Sequence, residues 1–261
     1  MTAREVVERI RKKLGVPWNE RSYRDTFKAG DPDTEVKGIA TTFMATLDLL
    51  QRAHTAGMNM VVTHEPTFWS DADTVTNLGA DPIYKFKVDF CNRSHMVVWR
   101  FHDHWHARKP DMEFGGLARA LGWEGREIAP GQHHYQLPPT TLAALAADIQ
   151  RRLHVRTMRV VGDPHATVST VAMGVGYNIP RIAPEIDVVI GGENTEADSP
   201  FDDTEYIVDA DSLGGHKGQI ILGHSISEEP GMEDCAIWLR TFISEVPIQW
   251  IQAGEPFWSP R

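Results

Sequence analysis

Four stretches of this chain bring histidines and carboxylates together: VVTHEPTFW (61–69), VVWRFHDHWH (97–106), DVVIGGE (187–193) and IILGHSISEE (220–229). Imidazole nitrogen and carboxylate oxygen are common donors to divalent transition metals. Each stretch opens with an apolar run that reads as a buried strand, and ligands of α/β folds lie beyond the carboxyl ends of strands. A lone histidine in such a place is usually exposed or capped. The group is harder to set aside, because His64, His102, His104, His106 and His224 make up five of the 12 histidines.

In GHSISEEPGM (223–232), Gly223 ends a strand and Ser225 or Ser227 can cap a helix. If that helix starts near His224, then His224 and Glu228 stand one turn apart on one face. They can grip one metal, or one each of two. The same residues also fit a plain helix start, with Glu228 and Glu229 complementing the dipole. In RFHDHWH (100–106), an extended chain points His102, His104 and His106 one way and Asp103 and Trp105 the other. A turn changes the set. Bare histidines so close would repel on protonation, so the cluster calls for a metal or an acid partner. In THEP (63–66), His64 and Glu65 diverge in extended backbone, while Pro66 disfavours helix at Glu65 and lacks an N–H. The proline bends the chain out of the sheet at the ligand position and lets both side chains turn to one polar cavity. Two diverging neighbours suit two ions better than one.

The elements that must position these residues alternate. Helical spacing marks 4–14, 45–57, 81–94, 115–123, 140–153 and 233–244, with Asp81 as a cap and Pro82 in the first turn of the third. Apolar runs at 36–43, 58–64, 96–102, 156–162, 167–176, 186–193, 218–224 and 246–254 read as strands. This alternation predicts an α/β fold with helices covering the sheets. The 261 residues allow one large domain or two intimately packed halves, with the Pro/Gly-rich stretch 129–140 as the expected seam.

Composition narrows the function. Apolar residues make up 41 %, enough for a large core, and no apolar run reaches the roughly 18 residues of a membrane span. The first residues show no secretion signal. A net charge of -10 argues against general nucleic-acid binding. Two cysteines without a CxxC pattern read as reduced thiols, and the expected location is the cytoplasm.

The order of these motifs resembles the Nif-three-like dinuclear metal centre proteins, over most of the chain. AHTAGMNMVVTHEPTFW comes first, then the His-rich strand end, then IGGE, then GHSISEE. The family's first motif usually reads His-His-Pro-Leu; here it is His64, Glu65, Pro66 and Thr67. Its closing motif is matched by Gly223, His224 and Glu228. Its middle motif runs His-Thr-x-x-Asp, so placing His102 on the histidine puts His106 where the bridging aspartate would be. Glu65 for His and His106 for Asp keep one carboxylate and one imidazole in total. Asp103 bridges instead if the loop shifts. Glu193 resembles the family's Thr-Gly-Glu acid. The resemblance implies a single two-lobed Nif-three-like domain over 1–261, a toroidal homo-hexamer with interior metal sites, and a GTP cyclohydrolase-like or other hydrolase label.

The expected metal ligands are therefore His64, Glu65, His102, Asp103, His106, His224 and Glu228. Two divalent ions of Zn, Fe, Mn, Co or Ni would be held per chain. A pair of ions would assist hydrolysis of a phosphate, amide or ring C–N bond in a small-molecule substrate, with Glu193 or His104 moving protons. A metal-handling or regulatory scaffold without turnover is the second reading. A structural protein with incidental histidines is the third, and metal content separates it from the others.

Overall fold

The computed structural model describes residues 1–194 and 199–260. The chain divides into two compact units, one of 1–112 with 231–253 and the other of 113–230 with 254–261. Each is built on a five-stranded mixed sheet.

The first unit contains α1 (Ala3–Lys13), β1 (Phe27–Ala29), β2 (Ile39–Thr42), α2 (Leu47–Thr55), β3 (Met60–Thr63), α3 (Pro82–Arg93), β4 (Val97–Arg100) and α4 (Asp103–Ala107). Its sheet order is β1-β4-β3-β2-β10, where β10 is Ile248–Trp250. The β4, β3, β2 and β10 strands run parallel and β1 pairs antiparallel with β4. All four residues of each of β2, β3 and β4 are buried, as parallel strands covered on both faces must be. Side-chain alternation divides them. Met60, Val62, Val97 and Trp99 pack with Val6 and Ile10 of α1, whereas Val61 and Val98 pack with Leu49 and Leu50 of α2 and Cys91 of α3. Asp81 caps α3 by accepting from the Ile83 and Tyr84 N–H groups, with Pro82 in the first turn as its sequence requires.

The second unit contains β5 (His134–Thr141), α6 (Leu142–Leu153), β6 (Arg159–Val161), β7 (Thr167–Met173), β8 (Val188–Gly191), α7 (Ser199–Ser212) and β9 (Gly218–Ile221), and most of α5 (Met112–Leu121). Its order is β5-β7-β8-β9-β6, parallel in the middle and antiparallel at both edges. Leu142, Leu145 and Ile149 of α6 share a core with Val171, Val188, Ile190 and Ile220. Finally α8 (His224–Arg240) begins in the second unit and ends in the first, with Pro230 inside it where the chain changes unit.

The segment 129–140 is not where the chain crosses. It leads into β5, and Tyr135 and Leu137 are buried in the second core. Pro138 and Pro139 withhold N–H groups, and the β5–β7 register shifts between Gln136 and Thr140. An edge strand tolerates that, so prolines that suggested a linker mark a sheet edge instead. Cys91 and Cys235 are buried thiols, and burial pushes the Cys91 thiol up to about 11. Among the described residues, no helix is long and apolar enough to cross a membrane.

Candidate metal centre

In the first unit the donors follow the carboxyl ends of the adjacent parallel strands β3 and β4. His64 comes directly after β3 and donates its backbone N–H to Thr42, at 3.0 Å, while Glu65 donates to Phe43. Pro66 then ends pairing. The loop beyond it is gathered by Asp73, whose carboxylate accepts from the Thr67 and Phe68 N–H groups, each at 2.7 Å.

After β4 the chain turns at once into α4. His102 is its N-cap, so His102 and His106 lie one turn apart on the same face. The extended arrangement does not occur, and His104 is carried away from its two neighbours. His64, His102 and His106 each offer a nitrogen, and these atoms lie within 4.8 Å of one another, so the three could hold a metal ion. Their ring centroids are 4.5–4.9 Å apart.

Each of the three rings is oriented by an oxygen at Nδ1. That oxygen is the Phe101 carbonyl for His64 at 3.3 Å, Asp103 for His102 at 3.0 Å and Asp111 for His106 at 3.1 Å. A proton at Nδ1 leaves the lone pair at Nε2, which is the tautomer a metal needs. Glu65 lies beside this set, with its carboxylate 3.8 Å from His102 Nε2. The buried Arg100 holds the other Glu65 oxygen at 3.1 Å and donates to the His64 carbonyl at 3.0 Å.

Asp103 accepts from Ser22 at 2.7 Å and from Arg24 at 3.2 Å, besides facing His102. Burial acts to raise its pKa, but the hydrogen bonds from Ser22, His102 and Arg24 prevail and hold it below the ordinary carboxylate range. Its place is behind His102, as an orienting group. His104 is buried, stacked on Trp18 at 3.7 Å, with Nδ1 on Asp25 and Nε2 accepting the Asn19 N–H at 2.7 Å. Both ring nitrogens are thus engaged in fastening α4 to the segment 18–25.

In the second unit the donors again follow adjacent parallel strands, β8 and β9. His224 opens α8, and its Nε2 lies 2.9 Å from Glu228 one turn on. Its Nδ1 lies 3.2 Å from Glu193, which follows β8. Two donors about 2.1 Å from one ion at 90–109° lie about 3.0–3.4 Å apart, so the His224–Glu228 pair is close to ligating separation as it stands. Gly176 makes room for it. A Cβ there would come within 2.3 Å of the Glu228 carboxylate and 3.0 Å of His224 Nε2.

Residues 1–254 match the sequence model of the family described as Duf34/NIF3 (NGG1p interacting factor 3). The chain belongs to the DUF34/NIF3 family. Solved structures share the fold. Staphylococcus aureus hypothetical protein SA1388 is 16 % identical, covers 100 % of this chain and 99 % of its own, and has a TM-score of 0.74. A Bacillus cereus protein related to NIF3 is 13 % identical, covers 98 % of both chains, and scores 0.73. Reduced HcgD from Methanocaldococcus jannaschii is 16 % identical, covers 95 % of this chain and 97 % of its own, and scores 0.62. No curated protein matches the chain.

Within this DUF34/NIF3 chain, sequence reasoning missed Asp25, Arg100 and Asp111. Asp25 accepts from the backbone N–H groups of His102, Asp103 and His104 and so caps α4 from 77 to 79 residues away. No local pattern announces a cap at that separation. Asp111, five residues after His106, was the more findable signal.

His102 brings a pH dependence. Burial, and then the neighbouring His106, push its pKa down to about 4, against the opposing pull of Asp103. Glu65 and Arg100 also face this ring. An unfolded histidine titrates near 6.5, so between about 6.5 and 4 the unfolded chain binds the proton that folded His102 refuses. The metal-free protein should therefore lose stability as pH falls through that window and level off below it. Urea midpoints at pH 7.5, 5.5 and 4.5 for wild type and His102→Gln check this. The variant should show a shallower fall.

Proposed function

We propose that this protein binds two divalent transition-metal ions per chain and is a metal-dependent hydrolase of a small molecule. His64, Glu65, His102 and His106 supply one set of donors, and His224 and Glu228 the other. The observation that carries the reading is the oxygen partner at Nδ1 of all three first-unit histidines, at 3.0–3.3 Å. That is the outer shell a metal-ligating imidazole needs. Mixed nitrogen and oxygen donors suit Zn, Fe, Mn, Co or Ni better than Ca or Mg.

A bound divalent ion would supply Lewis-acid polarisation of a carbonyl or phosphoryl oxygen and acidify a water. The remaining roles belong to the chain. Glu193 is the candidate proton carrier, since it is part-exposed and reaches His224. His104, with both nitrogens engaged, is a positioning residue that fixes the pitch of α4. Asp103 and Asp111 set the tautomers of His102 and His106. Family resemblance further suggests a homo-hexamer, which light scattering tests.

Elemental analysis of the purified protein should give close to two ions per chain. Gly176→Ala should reduce this to about one, because Gly176 has φ +56° and its Cβ would displace the Glu228 carboxylate. A stoichiometry of one or less in metal-replete wild type removes the two-ion reading. Metal-dependent turnover across phosphate esters, amides and ring C–N substrates separates a hydrolase from a scaffold that only carries metal.

A further inference from the structure

Residues 254–260 belong to the second unit and are fastened to it through one side chain. Gly254, at φ +83°, turns the chain, and residues 254–260 form neither helix nor strand. Their anchor is Glu255, whose side chain is only 4 % exposed. One carboxylate oxygen accepts the Arg156 N–H at 2.6 Å and the other the Thr157 N–H at 2.9 Å. The Thr157 hydroxyl donates to the same carboxylate, and the Arg156 guanidinium reaches both the carboxylate and the Glu255 carbonyl. Four donors on the Glu255 carboxylate and a fifth on its carbonyl tie the segment to Arg156 and Thr157.

Two residues past the anchor the tied segment presents Phe257 and Trp258, which are 63 % and 74 % exposed. Both line a cavity of about 530 Å³, whose wall also includes Arg159, Glu193 and His224. That volume is in the range of small-molecule sites. Two adjacent aromatic rings in water contribute nothing to the second core, in whose packed set neither appears. They are instead held at the mouth of a space that the candidate donor His224 and candidate proton carrier Glu193 also reach.

We propose that this cavity binds a planar heteroaromatic ring, stacked on Phe257 and Trp258, with its polar edge towards His224 and Glu193. The aromatic faces select a flat ring over an aliphatic chain, because stacking rewards a π-face of matching shape. Arg159 and Asn194 in the same wall place polar groups where ring nitrogens and exocyclic substituents would meet them. The inference gives a substrate class to the second-unit donor set, and so rests on the functional reading above.

The test is ligand-observed saturation-transfer NMR on the full chain. Adenosine and cytidine serve as ring probes and ribose as the ring-free control. Wild type should show transfer to the base protons of at least one nucleoside and none to ribose. The double variant Phe257→Ala/Trp258→Ala should weaken that binding at least about fivefold, the lower end of what base stacking on an aromatic residue contributes. Glu255→Ala, which unties the segment, should do the same with both rings still present. Metal content is measured on the same samples. Ring binding lost with two ions retained supports the aromatic wall. No transfer to either nucleoside in wild type, or transfer undiminished in the double variant, overturns it, whatever the metal content. Wild type that binds rings but no metal sinks the metal reading and leaves the ring site standing.

Discussion

Replacing His64 with alanine is expected to abolish metal binding by the first donor set. The residue is fully buried, at 0 % exposure, and its ring is placed from two sides. The backbone of THEP is pinned to β2 through the Thr42 and Phe43 carbonyls, and Nδ1 is held by Phe101. A water entering the space left by alanine cannot replace a fixed imidazole. Loss of an outer hydrogen-bond partner alone typically costs about 10–100-fold in metal affinity. Asp103→Ala and Asp111→Ala should fall in that range, and His64→Ala should exceed it. His64→Gln keeps most of the volume and separates ligand loss from packing loss. His104→Gln makes the contrast: it should lower thermal stability by loosening α4 from Asp25 and Asn19, yet retain the metal. Titration with a competing chelator reads the affinities, and circular dichroism reads the fold. Wild-type metal affinity in both His64 variants would remove His64 from the ligand set.

The second large effect is predicted for Arg100→Leu. Arg100 is fully buried at the end of β4, and its guanidinium donates to the His64 carbonyl, the Glu65 carboxylate, and both the carbonyl and carboxylate of Asp71. Its guanidinium lies 3.1 Å from both the Glu65 and the Asp71 carboxylates. Arg100 is buried, but Glu65 keeps 15 % and Asp71 52 % side-chain exposure, so losing the guanidinium should cost about 1–3 kcal/mol, below the figure for a fully buried pair. Asp71 keeps some support, since Arg24 holds it at 2.6 Å and, with Tyr23 and Arg100, keeps its carboxyl well below the usual range. Glu65 loses more. Arg100→Lys should recover only part of the loss, because an ammonium cannot span four acceptors in the plane of a guanidinium fork. Urea unfolding at pH 7.5 measures both variants. A change under about 1 kcal/mol for Arg100→Leu would mean the network contributes little.

The strand ends that carry the site were legible because they are simple. Parallel strands buried on both faces read as unbroken apolar runs, and the polar residue that follows each run is where the chain leaves the sheet. The His224–Glu228 spacing was legible for a similar local reason, since Gly223 follows the end of β9 and the helix starts at the next residue. Other elements gave no local signal. β1 has three half-buried residues and exists by pairing with Trp99 and Val98 of β4. α4 is five residues long and is capped by Asp25 rather than by its own N-cap side chain. Within the His-rich run, the choice between strand and helix therefore depended on a carboxylate far away in the chain, as did the separation of His104 from His102 and His106. α7 was hidden by composition: SPFDDTEYIVDADS has few apolar residues and four aspartates to blur the helical period. The resemblance supplied the order of the motifs, but not the residues that hold Nδ1 of each histidine.

The interleaving of the two units sets a timetable for synthesis. Met232, Cys235, Ala236 and Leu239 of α8 and Ile248 of β10 complete the core that α1 and β3 begin. A ribosome adds about 5–20 residues per second, so the first 112 residues must wait on the order of ten seconds while 113–230 emerge. During that delay the β2 side of the nascent sheet lacks its neighbour β10, and an apolar edge is open to other chains. The second unit is encoded without interruption from 113 to 230 and can close its core first. The segment with Phe257 and Trp258 is translated only after 231–253. A chain of residues 1–230 released from the ribosome should therefore hold a folded second unit, an unfinished first one, and a cavity still missing its aromatic wall.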